Sequence, residues 1–251
     1  MAQVRERALA CFILKKQDFS EADQIITLFS QQEGKVRALV KAAKMPTSKL
    51  QPMLQLGFQT RVTLTGSKER AGLSKVIGVQ MIANYSGIME SESKLAAWYV
   101  VSELLMRALP DGEPNENLFT ELEKYAQFLH IPELEAHQVK QSVTQFQIKA
   151  LRALGLGISS IPEMVLSTEG VQNIWFSLDR GGFTNVDSSD ATPVLQRSFR
   201  AFQEILDGPY MLLDKSLEED LKPISVLVNR FITYQLEREI KSNQLLANSF
   251  D

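Results

Sequence analysis

With 251 residues, 44% of them hydrophobic and 23% charged, the chain has the balance of a soluble globular protein and room for one large domain or two small ones. No apolar run is long enough to span a bilayer, and Ala8–Leu14 is bracketed by charges with no cleavage site after it. The single cysteine, Cys11, excludes an internal disulfide framework and suits a reducing, cytoplasmic setting. The two histidines, His130 and His137, cannot assemble a four-ligand zinc site without cysteine partners. The net charge of −3 conceals an asymmetry: residues 1–80 carry 13 Lys+Arg against 6 Asp+Glu, and the remainder 14 against 24. A basic first part joined to an acidic second part suggests that the first meets a polyanion.

In chain order, the first eighty residues read as strands separated by turns. Ala8 to Lys16 is an apolar run entering the polar stretch QDFSEAD; Gln24 to Ser30 is rich in β-branched and aromatic residues; QQEG then supplies a turn. Lys35 to Lys41 alternates, with Val36 and Ala38 on one side and Lys35, Arg37 and Leu39 on the other. Gly57 to Thr65 and Leu73 to Gln80 complete five short strands, with GSKERAG as the turn between the last two. Five strands at this spacing, with no helical segment among them, predict a small closed barrel. The OB type is favoured, and an SH3-like barrel is the alternative.

From about Ser91 the period becomes helical. Leu95, Trp98, Ser102, Leu105 and Leu109 share one face, and Pro110-Asp-Gly ends it. Asn117 to Leu129 is a second helix. A third, Glu133 to Leu154, aligns Val139, Val143, Phe146, Ala150 and Leu154, with Gly155 suited to its C-cap. Residues 156–190 are irregular, with a β-ribbon around IWFSLDRGGF, and helices over Ala191–Leu206 and Ser216–Ile240 follow. The expected architecture is an α+β multidomain protein: an OB-type barrel over 1–82, then an all-α domain over 83–251 with a small ribbon insertion at 156–190.

Catalytic signatures are missing. There is no phosphate-binding G-x-x-x-x-G-K-[ST] loop, no H-E-x-x-H and no G-x-S-x-G. Gly155-Leu-Gly157 follows a helix instead of a strand, and Glu218-Glu219-Asp220 sits at a helix start, where the macrodipole favours acids. No enzyme activity and no cofactor are expected. The basic residues say more: Lys15 and Lys16 end the first strand, Lys35 and Arg37 lie on the third, and Lys41, Lys44 and Lys49 follow it. Lysine and arginine contact phosphates without reading sequence, and a stripe of them on a small barrel tracks single strands, with aromatics as stacking platforms. Phe19, Phe29 and Phe58 are the candidate platforms, Phe29 being the one best suited to the core.

The stretch ALACFILKKQDFSEADQIITLFSQQEGKVRALVKAAKMPTSKL resembles the N-terminal domain of the RecO family, with Glu21, Asp23, Thr27, Leu28, Gly34, Lys41, Ala43, Ser48 and Leu50 matching its pattern. Ala42 stands where the family has glycine, and Lys44 where it has arginine. Further on, WYVVSELLMRALPDGEPNENLF, FQIKALRALGLG and YQLEREIKSNQLL resemble later family segments; Lys241 and Ser242 match, and Glu237 replaces a glycine. Many members carry a four-cysteine zinc site, but here Asn185 and Ser188 occupy two of its places, so a zinc-less ribbon is expected.

The resemblance implies a cytoplasmic, nucleoid-associated repair and recombination mediator. It would bind single- and double-stranded DNA, anneal complementary strands without ATP, and act with RecR and single-stranded DNA-binding protein (SSB) to load RecA. The SSB partner offers an acidic, Phe-terminated tail. Family members place basic residues just before the phenylalanine matching Phe146, where this chain has Thr144 and Gln145. Lys140 or Lys149 is therefore the expected cation for that tail, with the helix around Phe146 as its apolar wall. The alternative is a non-catalytic adaptor whose basic barrel binds RNA or an acidic protein.

Overall fold

The computed structural model describes residues 6–66, 73–160, 173–212 and 215–249. The GSKERAG turn, beyond Gly66, lies outside the described residues, as does 161–172 of the insertion. Five strands form the barrel: β1 (Arg7–Asp18), β2 (Gln24–Ser30), β3 (Gly34–Val40), β4 (Gln59–Thr65) and β5 (Ser74–Ala83). They close in the order β1-β2-β3-β5-β4, with β4 returning to β1. All neighbours are antiparallel except β3 and β5, which run parallel. That parallel closure gives the five-stranded Greek-key OB connectivity and settles the choice between the two barrels.

Strand alternation sends Leu9, Cys11, Ile13, Ile26, Leu28, Ala38, Val62 and Leu64 into the barrel core. A β-bulge interrupts β1 between Ile13 and Lys15, so Leu14 is an extra residue in the register. One extra residue reverses the faces of everything after it. Without the bulge Lys15 would continue the inward series of Leu9, Cys11 and Ile13; with it, Lys15 is exposed.

The helical part comprises α1 (Glu92–Ala108), α2 (Glu116–Leu129), α3 (Ala136–Ala153), α4 (Gln196–Asp207), α5 (Lys215–Leu236) and α6 (Asn243–Asn248). A small sheet, β6 (Ile174–Ser177), β7 (Gly182–Thr184) and β8 (Thr192–Val194), lies between α3 and α4. Helix α3 is the axis and packs against α1, α2, α4 and α5. Its burial extends well beyond the expected stripe to Gln141, Ser142, Thr144, Gln145 and Gln147.

Three helix boundaries shift by three residues or more from the sequence expectation, each for a local reason. Helix α3 begins at Ala136, where the Gln138 side chain accepts the Glu135 N–H at 3.0 Å. The helix expected from Ala191 begins at Gln196, because Pro193 favours extended backbone at Thr192 and the segment pairs with β6. The helix expected to reach Ile240 ends at Leu236, because Glu237 takes φ +52°.

Candidate nucleic-acid interface

The outward rows of β1, β2 and β3 divide the barrel surface into two parts. One row, Phe12–Phe29–Lys35, lies under the helices. Phe119 of α2 packs on Phe12 and Phe29 with ring centroids at 5.6 and 5.7 Å, and Trp98 of α1 lies 5.8 Å from Phe12. The next row, Lys15–Thr27–Arg37, carries two exposed cations, and the one beyond it is Gln17–Ile25–Leu39–Lys75. Asp18–Gln24–Val40 closes the sheet, and from there the chain leaves through Phe19 and Lys41.

The seven basic residues picked from sequence separate into groups. Lys15, Arg37, Lys41 and Lys49 are exposed and, among the described residues, have no ion-pair partner. Lys44 is exposed at the same end and bonds Asp18 Oδ2 at 2.8 Å. That contact, with Gln24 alongside, holds the Asp18 carboxyl below the ordinary aspartate range. Lys16 is different: its inward position half-buries it, its Nζ donates to Gln55 Oε1 at 2.8 Å, and burial lowers its pKa. Lys35 donates to the Met106 carbonyl at 2.9 Å and pairs with Asp111 at 3.2 Å, so it fastens the barrel to the end of α1. Both cations are turned to the protein itself. Sequence reading missed Lys75, an exposed residue of β5 beside Leu39. The S-K-V alternation at the start of β5 was its available signal.

The loops at the open end are bound to each other. Asp23 Oδ1 accepts the Ala42 N–H at 2.8 Å, and the Ala22 carbonyl accepts the Lys44 N–H at 3.0 Å. Ala42 takes φ +51° and Glu237 φ +52°; they are the only non-glycine residues with positive φ among those described. Both are positions where the resemblance noted from the sequence leads one to expect glycine. At Gly34, φ is +65° and an added Cβ would sit 1.9 Å from the Glu113 carbonyl oxygen, so only glycine fits the seam between barrel and helices.

In the helical part, the residues expected to meet an acidic tail differ widely in burial. Phe146 is fully buried, 4.9 Å from the Tyr125 ring, and is core instead of a surface wall. Gln145 is also buried, and its amide exchanges two hydrogen bonds with the Met211 backbone. Lys140 is exposed beside a small cleft of about 220 Å³ between α3 and α5. Lys149 is only 9% exposed, bonds the Gly208 carbonyl, and lies 5.5 Å from the Tyr210 ring centroid. It lines an open cleft of about 840 Å³ with Phe128, Tyr210, Lys124 and Arg152. Burial draws the Lys149 ammonium below the ordinary lysine range; Glu121 opposes that shift, and Lys124 and Arg152 reinforce it.

The ribbon carries a polar knot. Asp190 accepts from Ser177 Oγ at 2.6 Å and Ser188 Oγ at 2.7 Å, and these bonds hold its carboxyl down to about 2. Asn185 is exposed, and no cluster of metal-binding side chains occurs among the described residues. The residues at this place do not fit the zinc of the four-cysteine members. Among the described residues, no helix is long and apolar enough to cross a membrane.

The fold and site define a class: an OB barrel that leaves a row of exposed cations uncovered and packs against an α-helical domain. The profile described as Recombination protein O N terminal matches residues 1–85, and that described as Recombination protein O C terminal matches residues 89–244. The chain belongs to the RecO family. It is 25% identical to the DNA repair protein RecO of Desulforamulus reducens over 250 residues, covering 95% of this chain and 93% of the relative. For the RecO of Pelotomaculum thermopropionicum the identity is 24%, with 93% and 91% covered, and for that of Geobacter metallireducens it is 32%, with 59% and 57% covered. Family membership supports a role in DNA repair.

Proposed function

We propose that this protein is a non-catalytic mediator of repair and recombination. It binds single- and double-stranded DNA, anneals complementary strands without ATP, and helps RecR load RecA onto SSB-coated DNA. The observation that carries the reading is the exposed row of Lys15 and Arg37, flanked by Lys41, Lys44 and Lys49, on OB-barrel surface that the helices leave open. Cations on such a surface reduce the repulsion between two phosphate backbones, and base pairing between the strands supplies the specificity.

The combined Lys15→Gln, Arg37→Gln and Lys41→Gln variant should bind single strands more weakly whatever their sequence. Its log–log salt slope should fall by about 2, from about 0.7 for each lost phosphate contact. Annealing without nucleotide should slow in parallel. An unchanged slope would move DNA to another surface, and tight binding to RNA with no annealing would favour the adaptor reading.

For the acidic SSB tail, the Lys149 cleft is the better seat, because Phe128 and Tyr210 line it and supply an apolar wall, whereas Phe146 lines no part of it. A labelled acidic peptide ending in phenylalanine should lose about tenfold or more in affinity on Lys149→Met with Arg152→Ala. The Lys140→Ala variant should bind it as the wild type does. The reverse pattern would place the tail in the α3–α5 cleft.

A further inference from the structure

Of the three aromatics that could serve as stacking platforms, two are spent on the fold. Phe29 is fully buried against Phe119, and Phe58 is buried just before β4. Phe19 is 59% exposed. A single exposed apolar residue is ordinary on a protein surface, so the case rests on how this one is held and what surrounds it.

The loop bearing Phe19 is ordered by its own backbone. The Phe19 and Ser20 N–H groups donate to the Asp23 carbonyl at 3.1 and 3.4 Å, and Ser20 Oγ accepts the Asp23 N–H at 3.1 Å. Asp23 and Ala22 then tie this loop to the one after β3 through the N–H groups of Ala42 and Lys44. A ligand meeting Phe19 therefore has little loop ordering to overcome. The second loop adds Met45, another exposed apolar residue.

The surroundings select the ligand. Because Asp18, Gln24 and Val40 stand in one row, Lys41 leaves the sheet two strands from Phe19, a separation of about 10 Å. Lys15 lies four residues back along β1, about 13 Å. Phosphates are attracted to those positions. Glu21, exposed on the Phe19 loop itself, repels them from the tip. An apolar ring beside a carboxylate, with cations a nucleotide or two away, suits a base at the ring and its backbone along the row.

We propose that Phe19 is a stacking platform for an unpaired base, so that the open end of the barrel holds single-stranded and not duplex nucleic acid. This deepens the DNA-binding reading above and rests on it. Every base offers a π-face, so the contact tolerates any sequence. A duplex keeps its bases stacked and gives Phe19 nothing to receive.

The test uses the full chain and its Phe19→Ala and Phe19→Trp variants, with a single-stranded oligodeoxythymidylate and a duplex of equal length titrated across a salt series. The Phe19→Ala variant should lose about tenfold in single-strand affinity at every salt concentration, with its slope unchanged and duplex binding unaltered. The Phe19→Trp variant should keep its affinity, and the added tryptophan's emission should be quenched by the single strand only. Wild-type single-strand binding by Phe19→Ala, or equal losses for both forms of DNA, would overturn the proposal while leaving the basic row intact. A change in oligomeric state on Phe19→Ala would also overturn it, by showing that a second copy covers the ring. Wild-type protein that binds neither DNA would instead remove the underlying reading.

Discussion

The two ends of one three-stranded surface present the same residue types in opposite circumstances. Towards the helices, Phe29 and Lys35 sit side by side in register, the ring under Phe119 and the ammonium on the Met106 carbonyl. At the far end, Phe19 is open to solvent, and Lys41 is exposed without an ion-pair partner among the described residues. Residue type and strand position do not distinguish the pairs; what lies above each one does. A lysine that a neighbouring carbonyl and carboxylate have already claimed is a fastener, and one facing water can meet a phosphate.

The sharpest way to break this contrast is at the covered end. Phe119 fills the space over both Phe12 and Phe29, so Phe119→Ala should lower unfolding free energy by about 3–5 kcal/mol, read from urea midpoints. Lys35→Met leaves the Met106 carbonyl without its charged donor and should lower it by about 1.5–3 kcal/mol. Neither change should alter the salt slope of DNA binding. If Lys35→Met lowers that slope while stability holds, the division into fastener and contact is wrong for this residue.

The sequence allowed the five strands, the helical faces and the small ribbon to be anticipated, because hydrophobic period and turn residues are local signals. It could not separate Lys35 from Lys41. That distinction depends on the end of α1, where Met106 lies 71 residues beyond Lys35. Nor could it show that Lys15 faces outward, since one bulged residue, Leu14, reverses the parity of β1. The cleft around Lys149 was equally hidden, because α3 reads as amphipathic but is enclosed by four other helices. The two non-glycine residues with positive φ are the instructive case. Ala42 and Glu237 look like neutral departures from the RecO pattern, yet both keep the left-handed backbone that glycine would adopt without a Cβ penalty.

That penalty supplies a middle-sized test at the open end. A left-handed L-residue costs about 1–2 kcal/mol, and glycine returns about 0.4–1 kcal/mol of that through unfolded-state entropy. Ala42→Gly and Glu237→Gly should each therefore stabilise the protein by about 0.5–1 kcal/mol. Because Ala42 lies in the paired loops and Glu237 does not, only the first should also change DNA affinity if loop order matters to binding. Destabilisation by either substitution would count against strain at these positions.

The smallest effect is expected from Asp18, the carboxylate that occupies Lys44 at the open end. Its pKa is depressed, chiefly by the hydrogen bond from Lys44. A group depressed in the folded state contributes stability above its unfolded pKa and loses it as pH falls through the lower folded value. The pair therefore stays intact at neutral pH, and its contribution disappears only in acid below the ordinary aspartate range. Both partners are well exposed, so solvent screens the pair, and Asp18→Asn should leave the urea midpoint almost unmoved. DNA binding should respond more clearly. With Lys44 released, one further phosphate contact becomes available and the salt slope should steepen by about 0.7, while the Asp18→Asn, Lys44→Gln double variant should return to the wild-type slope or below it. A steeper slope in the single variant that persists in the double variant would show that removing the negative charge, and not freeing Lys44, improves binding. In that event Lys44, like Lys35, would not be a phosphate contact.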